Sequence, residues 1–229
     1  ATNPVCVGAF KYTDRVAGDH ITLDKSPYYY DRDKVRLKRI IFKIITDGPV
    51  RASNLRSGDV DVAERLEPFD VVSIEGDPSI HLQTTTSIGY QGITINVGKS
   101  DLAQKNPLGR DPRVREAFEL ALDRDGIVQV AMDGEADVGN QWVAPTNPFY
   151  AKNVPIPKRN VERAKALLKE AGVVNPAFTL MTPTTADAQR IAQVVQAMAR
   201  EAGFDVKIQS TEFATSLDLA DKGQFDAYV

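Results

Sequence analysis

GYQGITINVGKSDLAQKNPLGRDPRVREAF, residues 89–118, marks a change of grammar in this 229-residue chain. It opens as a strand over residues 90–96, where Tyr90, Ile93 and Ile95 are aromatic or β-branched between small or polar neighbours. Asn96 and Gly98 end that strand. The polar stretch 99–110, with Asn106-Pro107 and Gly109, reads as a loop. Asp111-Pro112 then opens a helix, because Asp accepts from the orphan N–H groups of a first turn and Pro brings a φ already set for it. Before this stretch the chain reads mostly as strands; after it, helices and strands alternate.

Toward the N-terminus, residues 7–25 form two strands about the turn Ala17-Gly18-Asp19, with Phe10 and Tyr12 alternating on one and Ile21 and Leu23 on the other. Residues 37–46, rich in Ile, make the strongest strand signal. A short helix over 49–56 ends at Gly58. A brief strand at 59–63, a helix near 70–75 and a strand over 79–86 follow. Toward the C-terminus the pattern predicts helices at 112–122, 125–132 and 161–171, then strand 178–181, helix 186–202, strand 204–209, helix 215–222 and strand 225–229. The helix 186–202 is the clearest, with Ile191, Val194, Val195, Met198 and Ala202 on one face. Residues 135–159, holding Pro145, Pro148, Pro155 and Pro157, form an extended loop. This alternation predicts an α/β layer with helices packed on a sheet. The final FDAYV is an apolar strand with no cap after it, so the chain is expected to stop in mid-fold.

Composition is that of a globular protein, 42% hydrophobic and 26% charged, and a net charge of −3 argues against nucleic acid as a partner. No apolar run is long enough to span a membrane, and ATNPVCVGAF lacks the basic and apolar regions of a signal peptide. The single cysteine, Cys6, excludes an internal disulfide and reads as a small buried hydrophobe between two valines.

Catalytic chemistry finds little support. There is no Gly-rich phosphate loop, GxSxG elbow or HExxH. His20 and His81 are far apart with no further ligand at useful spacing, so each reads as a surface or core histidine. Asp59, Asp61 and Glu64 lack the pattern of a calcium loop and read as a solvated strand face. Lys34, Arg36, Lys38, Arg39 and Lys43 form a basic run that blunts an edge strand. The aromatic clusters Tyr28-Tyr29-Tyr30, Trp142 and Phe149-Tyr150 fall in loops, where packing against the body competes with ligand contact. No catalytic residue, metal ligand or cofactor site is assigned.

Six phrases, in order, carry a resemblance: NPVCVGAFKY (3–12), DHITLDKSPYYYD (19–31), LKRIIFKIITDGPVRASNLRSGDVDVAE (37–64), ITINVGKS with RDPRVREAFELALDRDGIV (93–100 and 110–128), NVERAKALLKEAG (160–172) and GQFDAYV (223–229). Together they resemble the extracytoplasmic solute-binding proteins of ABC importers, in the peptide, dipeptide and oligopeptide-binding family 5. Cys6, Val7 and Ala9 depart from that family's usual Gly, Thr and Pro, and SDLAQKNPLGR is longer than its usual link.

The resemblance implies a periplasmic-binding-protein-like, two-lobed mixed α/β fold, here as a fragment. Residues 1–94 are expected to be the later part of lobe one and residues 95–229 lobe two, truncated at its end, with residues 90–96 as a hinge strand. It implies a non-enzymatic protein, periplasmic or extracytoplasmic, that captures a di- or oligopeptide between its lobes and delivers it to a membrane permease. Glutathione, a nickel complex, a sugar or an opine is the alternative solute; an α/β enzyme or a regulatory sensor domain is the alternative class. The family's carboxylate for a peptide amino group falls beyond Val229. Tyr90, Gln91 and Gly92, at the start of the crossing strand, are the expected ligand contacts, with Asn140 and Trp142 beside the Pro-rich loop. Self-association of the fragment through open sheet edges is a further expectation.

Overall fold

The computed structural model describes residues 4, 5, 7–86, 89–98 and 100–229, and divides into two compact units, Ala1–His81 and Leu82–Val229. Cys6 lies outside the described residues.

In the first unit, β1 (Phe10–Val16), β2 (His20–Lys25) and β3 (Arg39–Lys43) form an antiparallel sheet in that order. Gly18, at φ +77°, supplies the left-handed residue of the turn between β1 and β2. The basic run ends on β3, an edge strand, and Arg39 is spent on Asp24 of the neighbouring strand at 2.7 Å. Helix α1 (Gly48–Ser57) is capped by the Asp47 side chain, which accepts from Val50 N, and is closed by Gly58 in the left-handed region. Helix α2 (Pro68–Ile74) follows. No strand forms at residues 59–63 or 79–86, contrary to the alternation there. Period-two patterning needs a partner strand to become a strand, and among the described residues no ladder pairs these segments. Among the described apolar side chains of this unit only Ala52 and Ile74 are buried.

The second unit is built on a sheet of order β4-β7-β5-β6, where β4 is Thr94–Ile95, β5 Ala177–Pro183, β6 Asp205–Thr211 and β7 Ala227–Tyr228. β5 runs parallel to both β6 and β7, and β4 is antiparallel to β7. The helices are α3 (Asp101–Lys105), α4 (Pro107–Arg110), α5 (Pro112–Ala121), α6 (Arg124–Ala131), α7 (Val161–Glu170), α8 (Ala186–Glu201) and α9 (Phe213–Asp221). The expected loop at 99–110 is therefore two short helices. Ser100 caps α3 through Ala103 N, and Asn106 caps α4 with Pro107 in the first position, so the punctuation residues start helices rather than end structure.

One core serves this unit. Phe118 of α5 meets Phe178 of β5 edge-on, with ring centroids 5.1 Å apart and planes at 85°, and Phe204 closes the trio at 5.5 Å from Phe118. Leu167 and Leu168 of α7, Ile191 and Val195 of α8, and Leu180 and Ala227 of the central strands complete it. Ile93 and Ile95 pack against this same core. The division into compact units falls after His81, and Thr94–Ile95 pair with β7 of the second unit.

Candidate functional site

The parallel strands β5 and β6 leave the sheet toward opposite faces. Leu180 and Ala227 are paired and lie in the core with α8, whereas Tyr228, on the alternate face, meets Ser216 of α9 through its hydroxyl at 2.9 Å. β5 thus feeds α8 on one face and β6 feeds α9 on the other. In open α/β sheets, the carboxyl ends of strands whose connections part in this way are where ligands sit.

At that end, residues 184–185 turn from β5 into α8, and Asp187 stands in the first turn of the helix. Its Oδ2 accepts from Gln91 Nε2 at 2.7 Å. Burial pushes the Asp187 carboxyl up, but hydrogen bonds from the Thr185 hydroxyl, the Gln91 amide and the N–H groups of Ala188 and Asp187 outweigh it and hold the group below the usual carboxylate range. The positive end of the 16-residue α8 acts in the same direction.

The expected contacts Tyr90, Gln91 and Gly92 lie in irregular chain just before β4, because the strand itself covers only Thr94–Ile95. All three are exposed, and Tyr90 keeps 62% of its surface. A Cβ on Gly92 would touch the Tyr90 ring at 3.4 Å, so the absent side chain leaves ring and main chain close together. A little upstream, Thr86 Oγ1 donates to Asp137 Oδ2 at 3.1 Å, tying this segment to the loop 135–159.

That loop contains no helix or strand and is held by its own amides. Gln141 Nε2 donates to the Ala151 carbonyl and its Oε1 accepts from Ala151 N, at 3.1 and 2.9 Å, closing the loop around residues 142–150. Asn140 Nδ2 donates to the Pro155 carbonyl at 2.9 Å, so its amide serves the loop, while its Oδ1 is buried without a hydrogen bond. Trp142 and Phe149 project from the closed loop with 77% and 87% of their surfaces exposed.

The structure joins Gln91 to Asp187 and Thr86 to Asp137; among the described residues no hydrogen bond links Tyr90, Gln91 or Gly92 to Asn140 or Trp142. Asp187 and Asp137 escaped the sequence reading. The available signal was for Asp187: a strand running through PTT into an amphipathic helix puts its first-turn residue at a strand's carboxyl end. Two depressions, one of about 480 Å³ beside the ends of α7 and α8 and one of about 170 Å³ by Asp226, are lined by none of these residues. Among the described residues, no group of three or more His, Cys, Asp or Glu is placed to hold a metal ion, and no helix is long and apolar enough to cross a membrane.

The family model for bacterial extracellular solute-binding proteins, family 5 Middle, matches residues 1–229. The chain belongs to this family. The oligopeptide-binding protein AppA of Bacillus subtilis is 27% identical over 97% of this family 5 chain and 42% of its own length. The dipeptide-binding protein of Escherichia coli K12 is also 27% identical, over 97% of this chain and 41% of its own. The solved structure of B. subtilis AppA in complex with a nonapeptide superposes with a TM-score of 0.81 at 28% identity, covering 97% of this chain and 46% of that one. AgaA from A. tumefaciens R10, solved with agropinic acid, gives 0.81 at 26% identity, covering 96% and 44%. The fold is that of the family 5 periplasmic binding proteins. The chain spans about two fifths of the length of the curated relatives it matches.

Proposed function

We propose that this family 5 chain belongs to the substrate-binding component of an ABC importer, which captures a di- or oligopeptide between two lobes and passes it to the membrane permease. The observation that carries this reading is the likeness along nearly the whole chain to AppA, a protein solved with a nonapeptide. Residues 1–94 and 95–229 are read as parts of the first and second lobes, and the location as extracytoplasmic. The protein is read as a binder, not an enzyme. Tyr90, Gln91 and Gly92 are proposed to meet the solute at the carboxyl end of the second unit's sheet, with Trp142, and less directly Asn140, bordering it from the loop. The open main chain around Gly92 suits pairing with an extended ligand in the manner of an added strand. Closure is selected by contacts made in the liganded state.

A second reading, a non-peptide solute, draws support from the equal superposition on AgaA with agropinic acid. A thermal-shift screen of the whole protein separates the two. Stabilisation by peptides supports the first reading; a shift with another solute class and none with any peptide sinks it.

A further inference from the structure

Most carboxylates in the second unit that make side-chain contacts are matched to a cation: Asp111 to Arg113, Glu119 to Arg124, Glu170 to Arg163, Glu201 to Arg159, Asp218 to Lys222. Asp187 is not. It is partly buried, and no lysine or arginine is among the groups that chiefly set its charge. Its partners are the Thr185 hydroxyl, the Gln91 amide and backbone N–H groups, all neutral.

Asp187 serves the start of α8, accepting from the Thr185 hydroxyl and the N–H groups of Ala188 and Asp187 itself. One feature goes beyond a helix-start acid: the Gln91 amide reaches it from irregular, exposed chain 96 positions away, placing a displaceable neutral donor on the carboxylate at the carboxyl end of the sheet. An ammonium or guanidinium that took the place of the Gln91 NH2 would exchange a neutral hydrogen bond for a shorter, charge-assisted one. Gln91 would be released to bond elsewhere on the solute or to water.

We propose that Asp187 is a specificity-determining residue that selects solutes carrying a positive charge, with Gln91 occupying its carboxylate until such a group arrives. The assignment rests on the solute-binding reading above and deepens it. It names the class of ligand group: a basic side chain of a peptide.

The test is isothermal titration calorimetry of the whole protein with tri-alanine and with two sets of tripeptides, lysine or its neutral isostere norleucine replacing each alanine in turn. At one position the lysine peptide is expected to bind about tenfold tighter than its norleucine counterpart, the scale of one charge-assisted contact. Asp187→Asn should bring the lysine and norleucine peptides to equal affinity, and Gln91→Ala should keep the lysine preference. Peptide binding without a lysine preference, or a preference that survives Asp187→Asn, overturns the assignment and leaves the solute-binding reading standing. Binding of no peptide overturns the peptide reading and the assignment together.

Discussion

Asn96 Nδ2 donates to the Phe225 carbonyl at 2.8 Å and also to that of Gly223 at 3.0 Å. Its Oδ1 accepts from Gly98 N at 3.1 Å, and Asn96 N donates to the Asp226 carbonyl at 2.9 Å. A single buried amide therefore fastens the end of β4 to the turn that leads into β7. Truncation leaves two carbonyls and an N–H without it.

Asn96→Ala is accordingly expected to destabilise the second unit by about 2 kcal/mol, the scale of unsatisfied buried polar groups. Urea unfolding followed by near-ultraviolet dichroism measures it. A loss below about 0.5 kcal/mol, the usual range of surface substitutions, would show that the amide is not holding the strands.

Gly109 is helical and has no positive φ, yet an added Cβ would lie 2.7 Å from the Asn96 carbonyl oxygen and closer still to that of Ala103. Both obstacles are backbone and cannot swing aside. Gly109→Ala should cost about 1–3 kcal/mol despite the better helix propensity of alanine, by the cost of overpacking. Thermal unfolding decides: an unchanged or raised midpoint refutes the close approach.

Phe178→Ala removes the ring that Phe118 and Phe204 both meet edge-on. A loss of about 3–5 kcal/mol is expected, since a buried aromatic leaves a cavity that its neighbours fill only in part. Chemical denaturation measures it, and a mild cost would mean the three-ring cluster collapses onto the gap.

Asp111 accepts from the Arg113 side chain and from Arg113 N, which together hold its carboxyl below the usual range against the small opposing effect of burial. A carboxyl lowered on folding contributes stability above its unfolded value, and that contribution is lost as pH falls through the folded one. Asp111→Ala should cost about 1 kcal/mol at pH 7 as a lost cap, and the difference from the parent chain should shrink as pH drops below about 4. Asp111→Asn, which keeps the capping oxygen, should be milder at pH 7. A pH-independent difference would rule out the carboxylate as the source.

Ile41 and Phe42 on the edge strand β3 keep 54% and 51% of their surfaces exposed, and the first unit buries few apolar side chains of its own. The 229-residue chain is expected to self-associate at micromolar concentration through this unit. Light scattering checks the mass. A clean monomer whose amides across residues 10–43 are protected from exchange contradicts the expectation.

Local signals were legible wherever their cause was local. Asp111 was readable as a cap because a cap needs only the next three residues, and it accepts from its own helix's first turn. The face of helix α8 was readable because its spacing alone fixes which residues share a side. Residues 59–63 and 79–86 misled because alternation states a preference for pairing without supplying the partner. Ser100 and Asn106 misled in the opposite direction, since the same residues that interrupt one element can start another.

By itself the sequence determined the order of the elements from residue 112 onward, the α/β class and, through six phrases, the family resemblance, because propensity, capping and pattern act over a few residues. Only the tertiary structure decided that Thr94 and Ile95 pair with β7 and that Gly109 is needed for close approach rather than for a turn. It alone brought Gln91 onto Asp187. Those facts depend on which distant main chains lie within a few ångströms of one another, and that distance is set by the packing of the sheet and its shared core.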